Sequence, residues 1–123
     1  MGGRKSRSKG KRGELEACEA LAEVWPGLKR QYGQARMHSS TPDIDGPGCP
    51  VFIEVKRQES INVHKAMEQA VAAGEHILKW VKVGETPDGP TFAPRPRVIV
   101  HKRNRGEWLV TVRARDLRRL IRG

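Results

Sequence analysis

The sequence has few of the features that mark secreted, membrane-spanning or zinc-binding proteins. Its two cysteines, Cys18 and Cys49, lack C-x-x-C spacing and indicate reduced thiols in a cytosolic setting. Its four histidines are scattered, which argues against a zinc site. No apolar run approaches the roughly 18 residues of a membrane-spanning helix, and no hydrophobic signal segment is evident. The 123 residues therefore predict a single cytoplasmic domain with one modest core.

Acidic side chains are scarce relative to basic ones. Only 14 Asp and Glu residues stand against 24 Lys and Arg residues, which gives a net charge of +10. An excess this large on a short chain favours a polyanionic partner, most simply nucleic acid. An anionic membrane surface is the competing partner, but no segment combines a wide apolar helical face with a basic one. We therefore expect nucleic acid, and no membrane, as the partner.

The positive charge begins at the start of the chain. Residues 1–12 contain six basic side chains, no acidic one and no apolar periodicity, so we expect a flexible basic arm there. Such an arm either contacts phosphates or only aids solubility, and its position next to the first predicted helix favours phosphate contact. The candidate DNA-binding residues of the arm are Arg4, Lys5, Arg7, Lys9, Lys11 and Arg12.

The first amphipathic helix is predicted over residues 13–24. Glu16, Glu19 and Glu23 share the side opposite its apolar stripe, as solvated charges should. Glu14 instead falls on the apolar face at about 100° per residue and points inward. The helix dipole alone favours an acid at a helix start, but an inward carboxylate also needs a cation or hydrogen-bond donors. A metal site at the helix entrance would supply the cation.

The most informative stretch covers residues 41–57. Residues 51–57 alternate as a strand, which puts Glu54 and Lys56 on one face. Asp43 comes eleven residues before Glu54, across a Gly-Pro-Gly-Cys-Pro turn that suits two antiparallel strands. The three side chains can therefore converge, so that two carboxylates hold Mg²⁺ and the lysine orients the attacking water. A half-exposed hairpin with ordinary surface charges is the alternative.

These residues resemble the PD-(D/E)xK nuclease superfamily, with Pro42-Asp43 followed by Glu54-Val55-Lys56. Over roughly residues 9–58 the pattern is similar to that of archaeal-type Holliday junction resolvases. Those proteins have a glycine four residues before an active-site glutamate, and a serine four residues before the catalytic aspartate. The matching pairs here are Gly10 with Glu14 and Ser39 with Asp43.

Two further comparisons with this superfamily bear on the resemblance. The His-Lys-Arg-Asn-Arg…Trp-Leu-Val-Thr segment near the C-terminus is similar to that of small phage nucleases. If the chain is phage-encoded, it acts in the cytoplasm of a bacterial host. Leu15 is a departure, because the archaeal-type proteins often have arginine directly after the glutamate. Any DNA contact made by that arginine must come from another residue here.

The resemblance implies a metal-dependent endonuclease. Asp43 and Glu54, with the backbone carbonyl of Val55, would hold Mg²⁺, for which Mn²⁺ would substitute. Glu14 would complete the cation shell or hold a second ion, and Lys56 would position the attacking water. The implied substrate is branched DNA, above all the four-way junction. A nicking, flap or restriction-like endonuclease of the superfamily is the alternative, as is a DNA-binding protein without catalysis.

Two symmetric cuts in a junction imply paired sites, so we expect a homodimer. Apolar residues for its interface are available, although the same residues can cover the core of a monomer. They are Trp80, Val81, Val83 and Phe92.

The remaining segments complete a predicted restriction-endonuclease-like α/β fold over residues 13–123. A mixed sheet of about five strands is flanked by three helices in the order α-β-β-β-α-β-β-α. We interpret the proline-rich loop 84–96 as a DNA-contacting flap, a dimer surface or a disordered connector. The other expected elements are an edge strand over 28–37, a helix over 62–73 extended to about residue 80, strands over 97–101 and 108–112, and a closing helix over 115–121 whose Leu117, Leu120 and Ile121 point inward.

Candidate DNA contacts also lie outside the arm. The hairpin before the last strand carries three cations at its tip, which argues for a phosphate clamp, and Gly106 can take its left-handed position. Ser39 either binds a phosphate oxygen or satisfies the backbone of a turn, and Gln58 continues the face of Glu54. The remaining candidates are Arg36, Lys102, Arg103 and Arg105.

Overall fold

The computed structural model describes residues 2–31 and 41–121, with side chains from residue 10 onward. Arg36 and Ser39 lie outside the described residues, as do the side chains of Arg4, Lys5, Arg7 and Lys9. Described are three α-helices and seven strands: α1 (Gly2–Ala20), β1 (Lys29–Arg30), β2 (Ile44–Asp45), β3 (Phe52–Arg57), α2 (Val63–Ala72), β4 (Val81–Thr86), β5 (Gly89–Ala93), β6 (Arg97–Lys102), β7 (Leu109–Val112) and α3 (Ala114–Ile121).

Five of these strands form one mixed sheet in the order β1-β2-β3-β6-β7. Strands β3 and β6 are parallel, and the other neighbouring pairs are antiparallel. A parallel pair needs a long crossover, which here contains α2 and a separate β4–β5 hairpin. The prediction of an α/β protein with a five-stranded mixed sheet and three helices is therefore confirmed.

The sheet is covered on both faces, so its central strands alternate between two clusters of apolar residues. On one face Ile53, Val98 and Val100 pack with Ala17 of α1 and with Leu21 of the turn that follows this helix. On the other face Ile99 packs with three residues of α2, Ala66, Met67 and Ala70. Each fully buried large apolar side chain contributes about 1.5–3 kcal/mol to folding. These contacts fix α1 against β3, which is the part of the fold that positions the candidate site.

Residues 2–12, for which we expected a flexible basic arm, are helical and belong to α1. Lys and Arg are good helix formers, and residues 2–20 contain no proline. The packed turn around Ala17 and Leu21 supplies the costly helix nucleus, after which each added residue only propagates the helix. The basic segment is therefore a continuation of the first helix.

The predictions for residues 73–96 are also corrected. The helix expected to reach Trp80 ends at Ala72, because Gly74 takes the left-handed conformation (φ 74°) that closes a helix. Only a short 3₁₀ turn, Ile77–Lys79, follows. The expected loop over 84–96 is largely the β4–β5 hairpin, whose Thr-Pro-Asp-Gly turn places Gly89 at φ 125°. That tetrapeptide favours a hairpin turn, but the prolines of this segment led us to expect a loop.

Two details near the C-terminus differ from expectation. In α3 only Leu120 of the three predicted inward residues packs against the core, whereas Leu117 and Ile121 are 47% and 76% exposed. The buried residue of this helix is Asp116, whose carboxylate is bonded to Arg113 at 3.0 Å. In the β6–β7 hairpin the left-handed residue is Arg105 (φ 61°), the residue before the expected Gly106.

Candidate active site

Asp43 lies directly before β2, and its side chain reaches β3. Its backbone N–H donates to the carbonyl of Ile53 at 2.9 Å, which fixes where the side chain points. Its Oδ2 accepts a 2.7 Å hydrogen bond from the N–H of Val55, and its carboxyl group is also hydrogen-bonded to that of Glu54. The structure therefore brings Asp43 and Glu54 into direct contact, as the spacing of residues 41–57 predicted.

Burial raises the pKa values of both members of this acid pair. Burial raises the pKa of Glu54 most, and the neighbouring Asp43 adds to it, so that the pKa of Glu54 reaches about 8. Burial also raises the pKa of Asp43, while the Val55 N–H and the Lys56 ammonium oppose the rise. With a pKa of about 8, Glu54 keeps its proton at neutral pH, beside the carboxyl group of Asp43.

Two cations flank the acid pair, one predicted and one missed. Lys56 acts electrostatically on both Asp43 and Glu54, so it stands beside them as expected. Arg97 lowers the pKa of Glu54 from the neighbouring strand β6. Arg97 is buried, donates from Nε to the carbonyl of Ala70 at 2.9 Å, and stacks over the ring of Phe52 at 4.2 Å. The parallel pairing of β3 with β6, absent from local sequence patterns, is what places it there.

Glu14 points inward as predicted, but its cation is an arginine. Arg30 of β1 donates from Nε to the Glu14 carboxylate at 2.7 Å. Burial raises the pKa of Glu14, the hydrogen bond from Arg30 opposes that rise, and the nearby Asp43 carboxylate supports it. The guanidinium of Arg30 thus supplies the partner that an inward Glu14 carboxylate was predicted to need. Whether Glu14 also holds a metal ion stays a prediction.

Glu16 differs from the solvated charge that its helical phase predicted. It is half-buried and pairs with Arg57 at 3.2 Å and with Lys102 at 3.7 Å. The Lys102 ammonium also lies 5.9 Å from the centre of the Trp108 ring. The predicted phosphate clamp therefore has two exposed cations at its tip, Arg103 and Arg105, because Lys102 is turned toward the protein. Lys11, Arg12 and Gln58 are exposed as well.

The donor set of the acid pair fits a hard divalent cation. Asp43 and Glu54 supply two carboxyl groups, and a cation would displace the proton between them. The carbonyl of Val55 faces the same side as its N–H, since both groups of one strand residue point the same way. Across residues 10–31 and 41–121, no three His, Cys, Asp or Glu side chains form a group that could hold a metal ion. Mg²⁺ commonly uses one or two carboxylates plus water and phosphate, so two suffice.

A second, buried ionic cluster anchors the strand that follows Asp43. Arg95 bonds Asp45 of β2 through both terminal nitrogens, at 2.8 and 3.1 Å, and bonds Glu75 through Nε at 3.0 Å. Burial disfavours the charged form of Arg95, but its bonds to Asp45 and Glu75 outweigh this effect and raise its pKa. The sequence did not reveal this cluster, because its members lie far apart along the chain. It ties β2 to the crossover between α2 and β6.

Comparison of the chain with models of known protein families, with characterised proteins and with solved structures found no match. The likeness to PD-(D/E)xK nucleases therefore rests on the residues of the sequence. Among the helices that the structure describes, none is long and apolar enough to cross a membrane.

Replacing Glu54 by Gln is expected to change how stability depends on pH. The raised pKa means that folded Glu54 keeps a proton which the unfolded chain loses above its ordinary pKa of 4.5. In EDTA the free energy of unfolding should therefore fall as pH rises from about 4.5 to about 8, with a slope approaching about 1.4 kcal/mol per pH unit. Glu54→Gln should flatten this fall and be the more stable protein at pH 9.

Urea unfolding between pH 5 and pH 9 measures this effect, with the exposed Glu68→Gln as a matched control. Mg²⁺ at pH 8 should stabilise the wild type and leave Glu54→Gln nearly unchanged. Parallel pH curves for the wild type and Glu54→Gln would show that folded Glu54 does not keep this proton.

Removing the arginine of the buried cluster is expected to destabilise the fold. Arg95→Met leaves Asp45 and Glu75 buried without their main partner, which should lower the free energy of unfolding by about 3–5 kcal/mol. Lys82→Met is the control, because it breaks the exposed ion pair with Glu85 and should have little effect. Equal urea midpoints for Arg95→Met and Lys82→Met would contradict a stabilising role for the cluster.

Proposed function

We propose that this protein is a Mg²⁺-dependent, structure-selective DNA endonuclease that resolves four-way junctions. The observation that supports it best is the Asp43–Glu54 pair, with its two carboxyl groups in contact and Lys56 beside them. Burying two carboxyl groups together costs folding free energy that a structural hairpin has no reason to bear. A site that binds a divalent cation explains the arrangement, and the excess of basic residues explains a polyanionic substrate.

Each residue of the site has a chemical task in this proposal. Asp43, Glu54 and the Val55 carbonyl would hold Mg²⁺, which when bound offsets the charge that develops on the phosphate under attack. Lys56 would hold the attacking water by hydrogen bonding and favour its loss of a proton. The water oxygen bonds to phosphorus as the bond to the 3′ oxygen breaks. The water releases its proton to solvent and the 3′ oxygen takes one up from solvent, which leaves a 5′-phosphate and a 3′-hydroxyl. Arg97 would favour the charged form of Glu54 from the neighbouring strand β6, without touching the substrate.

In this proposal the protein binds DNA without reading its base sequence. Arg103 and Arg105 project from the β6–β7 hairpin, and Lys11 and Arg12 from α1, all of them exposed. Such cations contact phosphates, which position a duplex and carry no base information. The shape of the junction is then what the enzyme selects.

Pairing of two protomers completes the proposal. Val83 and Phe92 of the β4–β5 hairpin are 47% and 53% exposed, and this hairpin stands apart from the main sheet. Trp80 is a weaker interface candidate, because it is half-buried and its Nε1 donates to the Glu75 carbonyl at 2.9 Å. We propose that the hairpin joins two copies about a two-fold axis, which presents two sites to the opposed strands of a symmetric junction.

Cleavage of matched linear, nicked, flap and four-way-junction DNAs, in Mg²⁺ and in EDTA, tests this function. We expect paired, symmetry-related nicks in the junction, little cutting of linear duplex, no cutting in EDTA, and a dimer in sedimentation. A monomer that makes single nicks in every DNA would leave a general nuclease of the same chemistry. Binding to all four DNAs without any cut would leave a non-catalytic DNA-binding protein.

A further inference from the structure

An open cleft of about 500 Å³ adjoins the acid pair. It lies between α1 and the end of β3, and it is lined by Gly10, Gly13, Glu14 and residues 55–60. Three of these residues, Glu14, Val55 and Lys56, belong to the candidate active site. The cleft therefore shares these three residues with the candidate active site, and its volume falls within the range of small-molecule sites, about 300–1,000 Å³.

The wall of the cleft is held in place by its neighbours. Arg57 pairs with Glu16 at 3.2 Å and donates to Oδ1 of Asn104 at 3.4 Å. The turn after β3 is fastened to the β6–β7 hairpin, since Gln58 N–H donates to the Lys102 carbonyl at 3.1 Å. Asn104 N–H in turn donates to Glu59 at 3.1 Å. A cleft with a fixed wall can bind a ligand without the entropic cost of ordering a loop.

Helix α1 forms the opposite wall of the cleft, and two glycines of this helix, Gly10 and Gly13, present no side chain to the cleft. A Cβ added at Gly13 would lie 3.1 Å from Cβ of Arg57, so this position brings the helix close to β3. Among the residues whose side chains the structure describes, a Cβ added at Gly10 would meet no atom within 4 Å. Glycine costs a helix about 1 kcal/mol relative to alanine, and no described neighbour of Gly10 comes close enough to require it. The open space in front of Gly10 is thus a feature of the cleft itself.

The lining favours a nucleotide. Lys56 and Arg57 are cationic, and Gln58 and Ser60 offer hydrogen-bonding groups. Three charged groups of the lining are already engaged: Arg57 with Glu16, Glu14 with Arg30, and Glu59 with the N–H of Asn104. We infer that the cleft holds the nucleotide next to the phosphate that lies at Asp43 and Glu54. The inference rests on the proposed function and assigns the path of one DNA strand, which passes from the acid pair along Gly10 and Gly13.

Filling the cleft tests this inference. The probe is thymidine 3′,5′-bisphosphate, which carries one nucleoside between two phosphates, and its binding is followed by amide NMR shifts in EDTA. We expect saturable shifts at residues 10–14 and 56–60, and Gly10→Leu should weaken binding at least about tenfold. Gly10→Ala should raise the melting temperature, which shows that the helix tolerates a side chain there. Ala20→Leu is the control, since it adds an apolar side chain to an exposed site of the same helix.

The outcomes separate this inference from the proposed function. Junction cleavage by the wild type, with Gly10→Leu equal to Ala20→Leu in probe binding, would overturn the cleft and leave the nuclease. Probe shifts confined to the Arg103–Arg105 hairpin would also overturn the cleft. Binding that depends on Gly10, in a protein that cuts no DNA, would support a nucleotide site and remove the proposed catalysis.

Discussion

Asp43→Asn is expected to lower the rate of DNA cleavage by at least about 10³-fold while changing DNA affinity by less than about threefold. The amide oxygen of the introduced asparagine can still accept the Val55 N–H, so the turn before β2 should keep its structure. What is lost is the negative charge that offsets a divalent cation. Phosphate contacts made by distant cations such as Arg103 and Arg105 are untouched, which is why binding should survive.

Single-turnover cleavage and fluorescence anisotropy measure the two effects separately. Glu54→Gln and Lys56→Ala should behave like Asp43→Asn, because each removes a ligand or the group that orients the attacking water. Asp88→Asn is the matched control, since Asp88 is exposed in the β4–β5 turn. Near-normal cleavage by Asp43→Asn would falsify the assignment of the metal site.

Glu14→Gln is expected to reduce turnover by about 10²-fold or more, whereas Glu19→Gln should be nearly silent. Both residues lie on α1, but Glu14 is bonded to Arg30 and lies near Asp43, while Glu19 is exposed. Glutamine can still accept the hydrogen bond from Arg30, so the fold should persist. The fall in turnover should then result from the loss of the negative charge alone. Steady-state kinetics with a junction substrate measures the difference.

Glu16 is unsuited as the control in this comparison, despite its predicted outward position. Its carboxylate pairs with Arg57 and Lys102, so Glu16→Gln should alter how the β6–β7 hairpin sits on α1. An equal loss of turnover in Glu14→Gln and Glu19→Gln would mean that Glu14 has no special role in the reaction. Equal melting temperatures of the two variants are needed before their kinetics are compared.

The contact between Asp43 and Glu54 could be predicted from sequence because the information is local. A period of two fixes the face of Glu54 and Lys56, and a short turn brings Asp43 to the same strand. Arg30 and Arg97 escaped prediction because their positions depend on strand pairing. Strand β6 pairs with β3 across a long crossover, and no periodicity in either strand encodes that register.

Two segments differ from expectation because a local preference outweighed their overall composition. Helix propensity and a packed nucleus extend α1 into residues whose composition is typical of disorder. Several prolines between residues 84 and 96 suggested a loop, yet the Thr-Pro-Asp-Gly turn and its flanking residues form a hairpin. Local turn chemistry was more informative there than composition.

The long crossover between β3 and β6 also has a consequence for synthesis of the protein. The parallel pairing joins Phe52 to Arg97, roughly 45 positions later, so β3 lacks a central neighbour until most of the chain has left the ribosome. Asp43 and Glu54 emerge early, but Arg97 and the wall of the sheet arrive late. A nascent chain therefore carries the β2–β3 hairpin and its acids without Arg97 and without the central neighbour of β3. Because β3 is packed as a central strand only when β6 is present, we expect cutting activity of the proposed kind only when translation has passed β6.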